Sequence, residues 1–232
     1  VAAAKHALHV NPLPLWKRAD ILDKAAARLT ARREEFAQIV AKEAAKPIKT
    51  ARVEAERAVG TFQFAAAEAR KLGGEMIPLD AIPAGEGKLG FTLRVPIGVV
   101  GAIAPFNFPL NLVAHKLAPA IAAGCPVVLK PASLTPLTAL MLGDVLVEAG
   151  VPPECVNVIP GPGSTVGDAL VGDPLVNKIS FTGDSVTGAG IPNALRSRPD
   201  EPPSSATVKS PPCSRSQKWS SSTSRSEEHT SE

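Results

Sequence analysis

The chain has 232 residues, 44% of them hydrophobic, which is enough for one or two domains around a substantial core. A formal net charge of +3, with no Lys/Arg block and no aromatic residues interleaved among basic ones, gives no reason to invoke nucleic acid or an anionic membrane as partner. Cys125, Cys155 and Cys213 are odd in number, widely spaced and never paired as C-x-x-C, which argues against a disulfide framework or a zinc site. A reducing cytoplasm fits that usage, and no apolar run approaches the roughly 20 residues that span a bilayer.

The first periodic segment lies between Leu15 and Val40. Leu15, Ala19, Leu22, Ala26 and Leu29, then Phe36 and Val40, recur at helical spacing, and charged residues fill the other face. Two amphipathic helices broken near Thr30 are expected. A third follows Pro47 with Ala55, Val59, Phe62, Ala66 and Ala69 on one face, and it should stop at Gly73-Gly74, where glycine can take the left-handed C-cap conformation. "KLGFTLRVPIGVVGAIAP" (88–105) then changes period. It is rich in β-branched residues and interrupted by Pro96 and Gly98, and reads as two strands joined by a tight connection.

From Pro109 to Gly124 a helix returns, with Leu110, Val113, Leu117 and Ile121 on its apolar face. Short apolar runs come next at "PVVLKP" (126–131), "VNVIPG" (156–161) and "NKISFTG" (177–183). Between the first two, "TPLTALMLGDVLVEAG" offers Thr135 as N-cap, Pro136 at the first helical position and Gly150 at the end. A short helix from Ser164 to Val171 precedes the third run. Strand and helix alternating at this spacing predict an α/β fold: N-terminal helices followed by a Rossmann-like open parallel sheet, covered on both faces.

In such sheets ligands bind at the carboxyl ends of the strands, so the residues just after each strand are the candidates. "GPGSTVG" places glycines at 161, 163 and 167, one residue longer than the usual dinucleotide fingerprint, and reads equally as a plain glycine turn into a helix. "FTGDSVTG" repeats the strand, glycine, helix-start arrangement, which presents N–H groups and a positive helix end to a phosphate. Lys130 ends an apolar strand and can reach ribose hydroxyls, or simply snorkel to water. Asn107, enclosed in "APFNFPLN", suits a rigid oxyanion donor; the other reading is a turn former or N-cap ahead of the next helix. His115, with no second ligand at metal spacing, reads as a packing or surface residue.

Taken together, "RVPIGVVGAIAPFNFPLNLVAHKLAPAIAAGCPVVLKPASLTPLTA" and "VNVIPGPGSTVGDALVGDPLVNKISFTG" closely resemble the NAD(P)-dependent aldehyde dehydrogenase superfamily, over Val1 to about Ile191. The resemblance implies a small aldehyde substrate oxidised to a carboxylic acid, NADP or NAD as cofactor, and a homo-oligomeric parent enzyme. It makes Asn107 the oxyanion donor and Lys130 a ribose contact, and it puts Ser133, Gly163, Gly167, Phe181, Thr182, Gly183 and Ser185 along the cofactor path. Many NAD-preferring relatives carry Glu where this chain has Ser133, so the repulsion of a 2′-phosphate is absent here and NADP should be accepted. Asp184 stands where the family commonly has a pyrophosphate-contacting Ser. The run around Asn107 looks most like members acting on small polar aldehydes such as lactaldehyde, semialdehydes or glyceraldehyde 3-phosphate.

Residues 192–232 hold twelve serines and six prolines against six hydrophobic residues. Such a stretch cannot bury enough apolar area to offset its ordering entropy. It reads as a disordered, non-native tail beyond a domain of residues 1–191, and the final "RSEEHTSE" resembles a translated sequencing adapter. The family's thiol nucleophile and its Glu-Leu-Gly-Gly base are not identifiable, and Cys213 lacks the family's surroundings. The chain as written is therefore expected to be an inactive fragment, the other readings being a non-catalytic nucleotide-binding module or part of a related acyl-CoA or acyl-phosphate reductase.

Overall fold

The computed structural model describes residues 1–196. Four helices come first: α1 (Ala2–Val10), α2 (Leu15–Ala31), α3 (Arg33–Glu43) and α4 (Ile48–Ala69). The break after Thr30 is real. Arg32 leaves helical geometry at φ −102°, ψ 16°, between α2 and α3. The apolar stripe is buried from Ala19 to Val40, whereas Leu15, at the first turn of α2, is 40% exposed. The α4 face of Ala55, Val59, Phe62, Ala66 and Ala69 is buried as its spacing predicts. Gly73 and Gly74 do not provide the expected left-handed cap; α4 ends at Arg70 in right-handed geometry, and neither glycine has positive φ. "AAAKHALHV", ahead of the first periodic segment read from the sequence, forms α1 and buries Ala4 and Ala7.

The two strands expected within 88–105 form, but not as a pair. β1 (Met76–Ile77) is the antiparallel partner of β2 (Gly90–Phe91), while β3 (Val99–Ile103) enters a separate sheet. Pairing across a long connection leaves no local signal, so the tight connection expected in that run is not there. After β3 come α5 (Asn111–Ala123), β4 (Val127–Lys130), α6 (Leu137–Glu148), β5 (Val156–Val158), α7 (Asp168–Gly172), β6 (Val176–Phe181) and α8 (Ser185–Arg196). α8 passes through Pro192 and ends five residues beyond Ile191. The rest of the expected tail, Cys213 included, lies outside the described residues.

β3 to β6 make one four-stranded sheet in the order β5-β4-β3-β6, with every pair parallel. One face carries the main core, built from α2, α4, α5 and α6 with Leu117, Leu129, Leu142 and Phe62 fully buried. The opposite face is thinner, with Ala4 of α1 and Leu170 of α7 packed on Val99, Val128 and Val176. Both faces are thus covered, as near-continuous apolar strands require.

Two helix starts are capped from a distance. Thr135, expected to cap α6, has its Oγ1 buried with no partner. The cap comes instead from Glu43, whose carboxylate accepts from the N–H groups of Leu137 (2.9 Å) and Thr138 (3.1 Å) and from the Thr138 hydroxyl. Likewise α5 begins at Asn111 rather than Pro109 and is capped by Glu54 of α4. A carboxylate at a helix N-terminus satisfies orphan N–H groups and the helix dipole together. At the other end of α5, Gly124 takes φ 75°, the left-handed geometry that closes a helix, and a Cβ there would lie 2.4 Å from the Arg18 guanidinium carbon.

Candidate functional site

The strand order places the first strand of the sheet, β3, between β4 and β6, so successive connections leave in opposite directions on either side of it. This switch point, outside the carboxyl ends of β3 and β6, is where open parallel sheets open a crevice for ligand. Two loops leave the sheet there side by side, joined by the Thr182 N–H donating to the Ile103 carbonyl at 3.1 Å.

The β3 loop carries Asn107. Its side chain is exposed rather than enclosed, and its carbonyl accepts from Lys46 Nζ at 2.6 Å. The alternative role as N-cap of α5 is taken by Glu54. The β6 loop carries Thr182, whose Oγ1 accepts from Lys116 Nζ at 2.7 Å. Lys116 on α5 is buried, and desolvation pulls its pKa down to about 8. Sequence reasoning passes over Lys116; the available signal is a lysine standing between Val113 and Leu117, beside the apolar face of α5.

Lys130 ends β4 and is 5% exposed, so its head does not snorkel into water. Its Nζ donates to the Pro131 carbonyl at 3.0 Å, and burial lowers its pKa. It lines a cavity of about 280 Å³ with Val128, Ile159, Thr165, Val166, Leu170 and Asp173, a mostly apolar cleft with one lysine and one carboxylate in its wall. Ser133 is exposed and donates to the Gly161 carbonyl at 2.9 Å, tying the loop after β4 to the loop after β5. Gly163–Gly167 form one wide helical turn leading into α7. Gly163 faces open space, while a Cβ on Gly167 would rest 3.7 Å from Lys130 Cδ.

Phe181 ends β6, and its ring folds over the turn into α8. A Cβ on Gly183 would stand 2.5 Å from that ring, and one on Gly188 3.2 Å, so the glycines here serve close approach rather than a left-handed turn. Asp184 caps α8: its carboxylate accepts from the Thr187 N–H at 2.9 Å and from the Thr187 hydroxyl at 2.7 Å. These hydrogen bonds hold its pKa below the ordinary carboxylate value. Ser185, the first residue of α8, is exposed beside it.

Cys125 and Cys155 are free thiols and both buried; burial, with Glu154 nearby, pushes the Cys155 thiol up, away from thiolate character. His115 is exposed, and among the described residues no group of three His, Cys, Asp or Glu side chains could hold a metal. No helix among them is long and apolar enough to cross a membrane.

Comparison with known proteins places this geometry. The aldehyde dehydrogenase family matches residues 1–200. The 3-sulfolactaldehyde dehydrogenase of Priestia aryabhattai is 47% identical over 188 residues, covering 81% of this chain and 39% of that protein. The lactaldehyde dehydrogenase of Methanocaldococcus jannaschii is 45% identical over 190 residues, covering 80% of this chain and 40% of its own length. Among solved structures, glyceraldehyde-3-phosphate dehydrogenase GapN of the same archaeon, complexed with NADP, superposes with a TM-score of 0.79 at 42% identity, over 85% of this chain and 43% of that one. The chain therefore spans about two fifths of the length of the curated relatives it matches.

Proposed function

Since the chain belongs to the aldehyde dehydrogenase family, we propose that its residues build the cofactor cleft and the oxyanion donor of an enzyme that oxidises a small polar aldehyde to a carboxylic acid with NADP or NAD. The observation that carries this reading is the switch point itself, flanked by the Asn107 loop on one side and the Thr182-Gly183 turn on the other. The names of the sulfolactaldehyde and lactaldehyde relatives support the substrate class, and the NADP in the archaeal structure supports the cofactor.

The residues fit the cofactor. Its nicotinamide, when bound, accepts the hydride that oxidation removes. Lys130 offers an ammonium in a mostly apolar wall, suited to ribose hydroxyls and to the phosphate that distinguishes NADP, and Ser133 brings no negative charge to oppose that phosphate. Val166, Ala169 and Leu170 supply apolar surface beside Gly163 and Gly167. Thr182, Gly183 and Ser185, at the start of α8, would hold the pyrophosphate through helix N–H groups. Asp184 is turned onto Thr187, which engages both of its oxygens; its charge remains and does not favour an anion, so the contact at this turn falls to Ser185 and the backbone.

Asn107 donates its side-chain amide to the aldehyde oxygen as negative charge develops there, which lowers the barrier because the donor is already in place. The attacking thiolate comes from neither Cys125 nor Cys155, which are buried, Cys213 lacks the family's surroundings, and the Glu-Leu-Gly-Gly segment of the base is not found in the sequence. We therefore read the 232-residue polypeptide by itself as cofactor-binding but catalytically silent, with the active parent a cytoplasmic homo-oligomer that uses neither nucleic acid nor membrane. Titration of the purified chain with NADP and NAD, beside a panel of small polar aldehydes, tests this. Saturable NADP binding without turnover is expected; aldehyde oxidation by the chain alone, or no binding of either nucleotide, overturns it.

A further inference from the structure

Asn107 sits on an exposed loop, and a side-chain donor on such a loop is useful only if something holds it within about 0.5 Å of its working place. The restraint lies on distant helices. Lys46, in the connection between α3 and α4, donates to the Asn107 carbonyl at 2.6 Å and to Glu54 Oε2 at 2.7 Å. Its ammonium also stands 4.5 Å from the centre of the Phe108 ring. Glu54 is 1% exposed, and its other oxygen accepts from the N–H groups of Leu110 at 2.9 Å and Asn111 at 3.1 Å. Residues 107–111 are thus gripped at a carbonyl, a ring and two amides by one ion pair. The residue before Lys46, Ala45, takes φ 49°, the sole non-glycine with positive φ among the described residues. That conformation costs about 1 kcal/mol or more and persists only where the surroundings impose it.

A buried carboxylate and its cation are seldom the most stable filling for a core, since apolar side chains of similar volume do as well or better. What the pair adds is direction: Glu54 Oε1 selects the N–H groups of Leu110 and Asn111, Oε2 holds the ammonium, and the ammonium selects the Asn107 carbonyl. We propose that Lys46 and Glu54 are a positioning pair that fixes the backbone of the Asn107 loop and so aims its amide, without touching substrate or cofactor. This rests on Asn107 being the oxyanion donor.

Amide hydrogen exchange and side-chain amide resonances, followed by NMR in the full 232-residue chain, test it. Lys46→Met keeps the aliphatic stem and removes the donor. Exchange at Leu110 and Asn111 is expected to quicken about tenfold, with the Asn107 side-chain amide resonances displaced and the amides of β3 and β4 unchanged. Lys46→Arg should return exchange to within about threefold of the parent chain. Glu54→Gln, which keeps shape and one acceptor but not the charge, should give the same local pattern. Unchanged exchange at 110 and 111 in Lys46→Met, or acceleration shared equally by β4, overturns the proposal; so does failure of Lys46→Arg to restore it. Asn107→Ala keeps the carbonyl that the network uses, so a mistaken role for Asn107 shows as unchanged aldehyde oxidation when that substitution is made in a catalytically competent parent enzyme, and a mistaken role for the pair shows only in this exchange pattern.

Discussion

In the proposed cofactor cleft a single side chain should set the choice between NADP and NAD, and a buried lysine on α5 should set a pH dependence of stability. Ser133 is exposed, uncharged and bonded to the Gly161 carbonyl, so nothing at that position opposes a 2′-phosphate. Ser133→Glu should weaken NADP binding by about tenfold, the effect of placing one negative charge near another in a partly solvated cleft, while NAD binding changes little. Competition titration with both nucleotides reads the ratio directly; a hundredfold preference for NAD in the unaltered site would refute the underlying reading. Lys116 gives the pH dependence. Its pKa falls from 10.5 to about 8 on burial, so between those values the unfolded chain holds a proton that the folded chain has released. Stability therefore rises with pH through that window, and the gain is lost as pH falls through about 8. Urea unfolding of Lys116→Met should show the difference from the parent narrowing or reversing in the parent's favour by roughly 2 kcal/mol between pH 7 and pH 10. Parallel pH profiles for the two chains would contradict it.

At the scale of elements, the features legible in sequence are those that depend on near neighbours. Phe62, Val59, Ala66 and Ala69 specify α4 because helical spacing puts them on one side, and Gly124 specifies the end of α5 because its left-handed geometry excludes a side chain. The starts of α5 and α6 are legible to within two residues, but their caps are not, since Glu54 and Glu43 stand more than fifty residues away in sequence. Thr135-Pro136 has the local form of a cap, although the stronger charge-assisted acceptor comes from the end of α3. The same dependence on distant partners hides the pairing within 88–105, where β2 pairs backward with β1 and β3 forward with β4 and β6. The non-local cap has a measurable worth. Glu43→Ala removes acceptors for two backbone N–H groups and the Thr138 hydroxyl, and should cost about 2 kcal/mol in urea unfolding, whereas Thr135→Val should cost little or stabilise, because the Thr135 hydroxyl is already without a partner.

For the whole molecule, the asymmetry of the two sheet faces matters most. The face covered by α2, α4, α5 and α6 holds nearly all the large buried side chains, while the other depends on Ala4, Leu170 and three valines of the sheet. Elements on the thin face, α7 among them, should open at lower free energy than the helical side. The proposed cofactor positions belong to this weaker part: Lys130 and the 163–167 turn border α7, and Thr182 to Ser185 lead into α8. The positions of Lys130, the glycine turns and Asn107 are legible from sequence because residues after parallel strands line the ligand edge whatever the side chains do; their bonding partners are not, being contributed by other loops and helices. A ligand that bridges these loops should therefore stabilise the thin face selectively. At a hundred times its dissociation constant, NADP should add about 2.7 kcal/mol to the folded chain. Hydrogen exchange should slow in α7 and the first turns of α8, with α2 to α4 unaffected. Lys130→Met should remove both the melting shift and the local slowing while leaving the unliganded exchange pattern close to that of the parent, because among the described residues the lysine head bonds only to the adjacent Pro131 carbonyl. Protection that spreads evenly over both faces, or survives in Lys130→Met, would place the nucleotide elsewhere on the molecule.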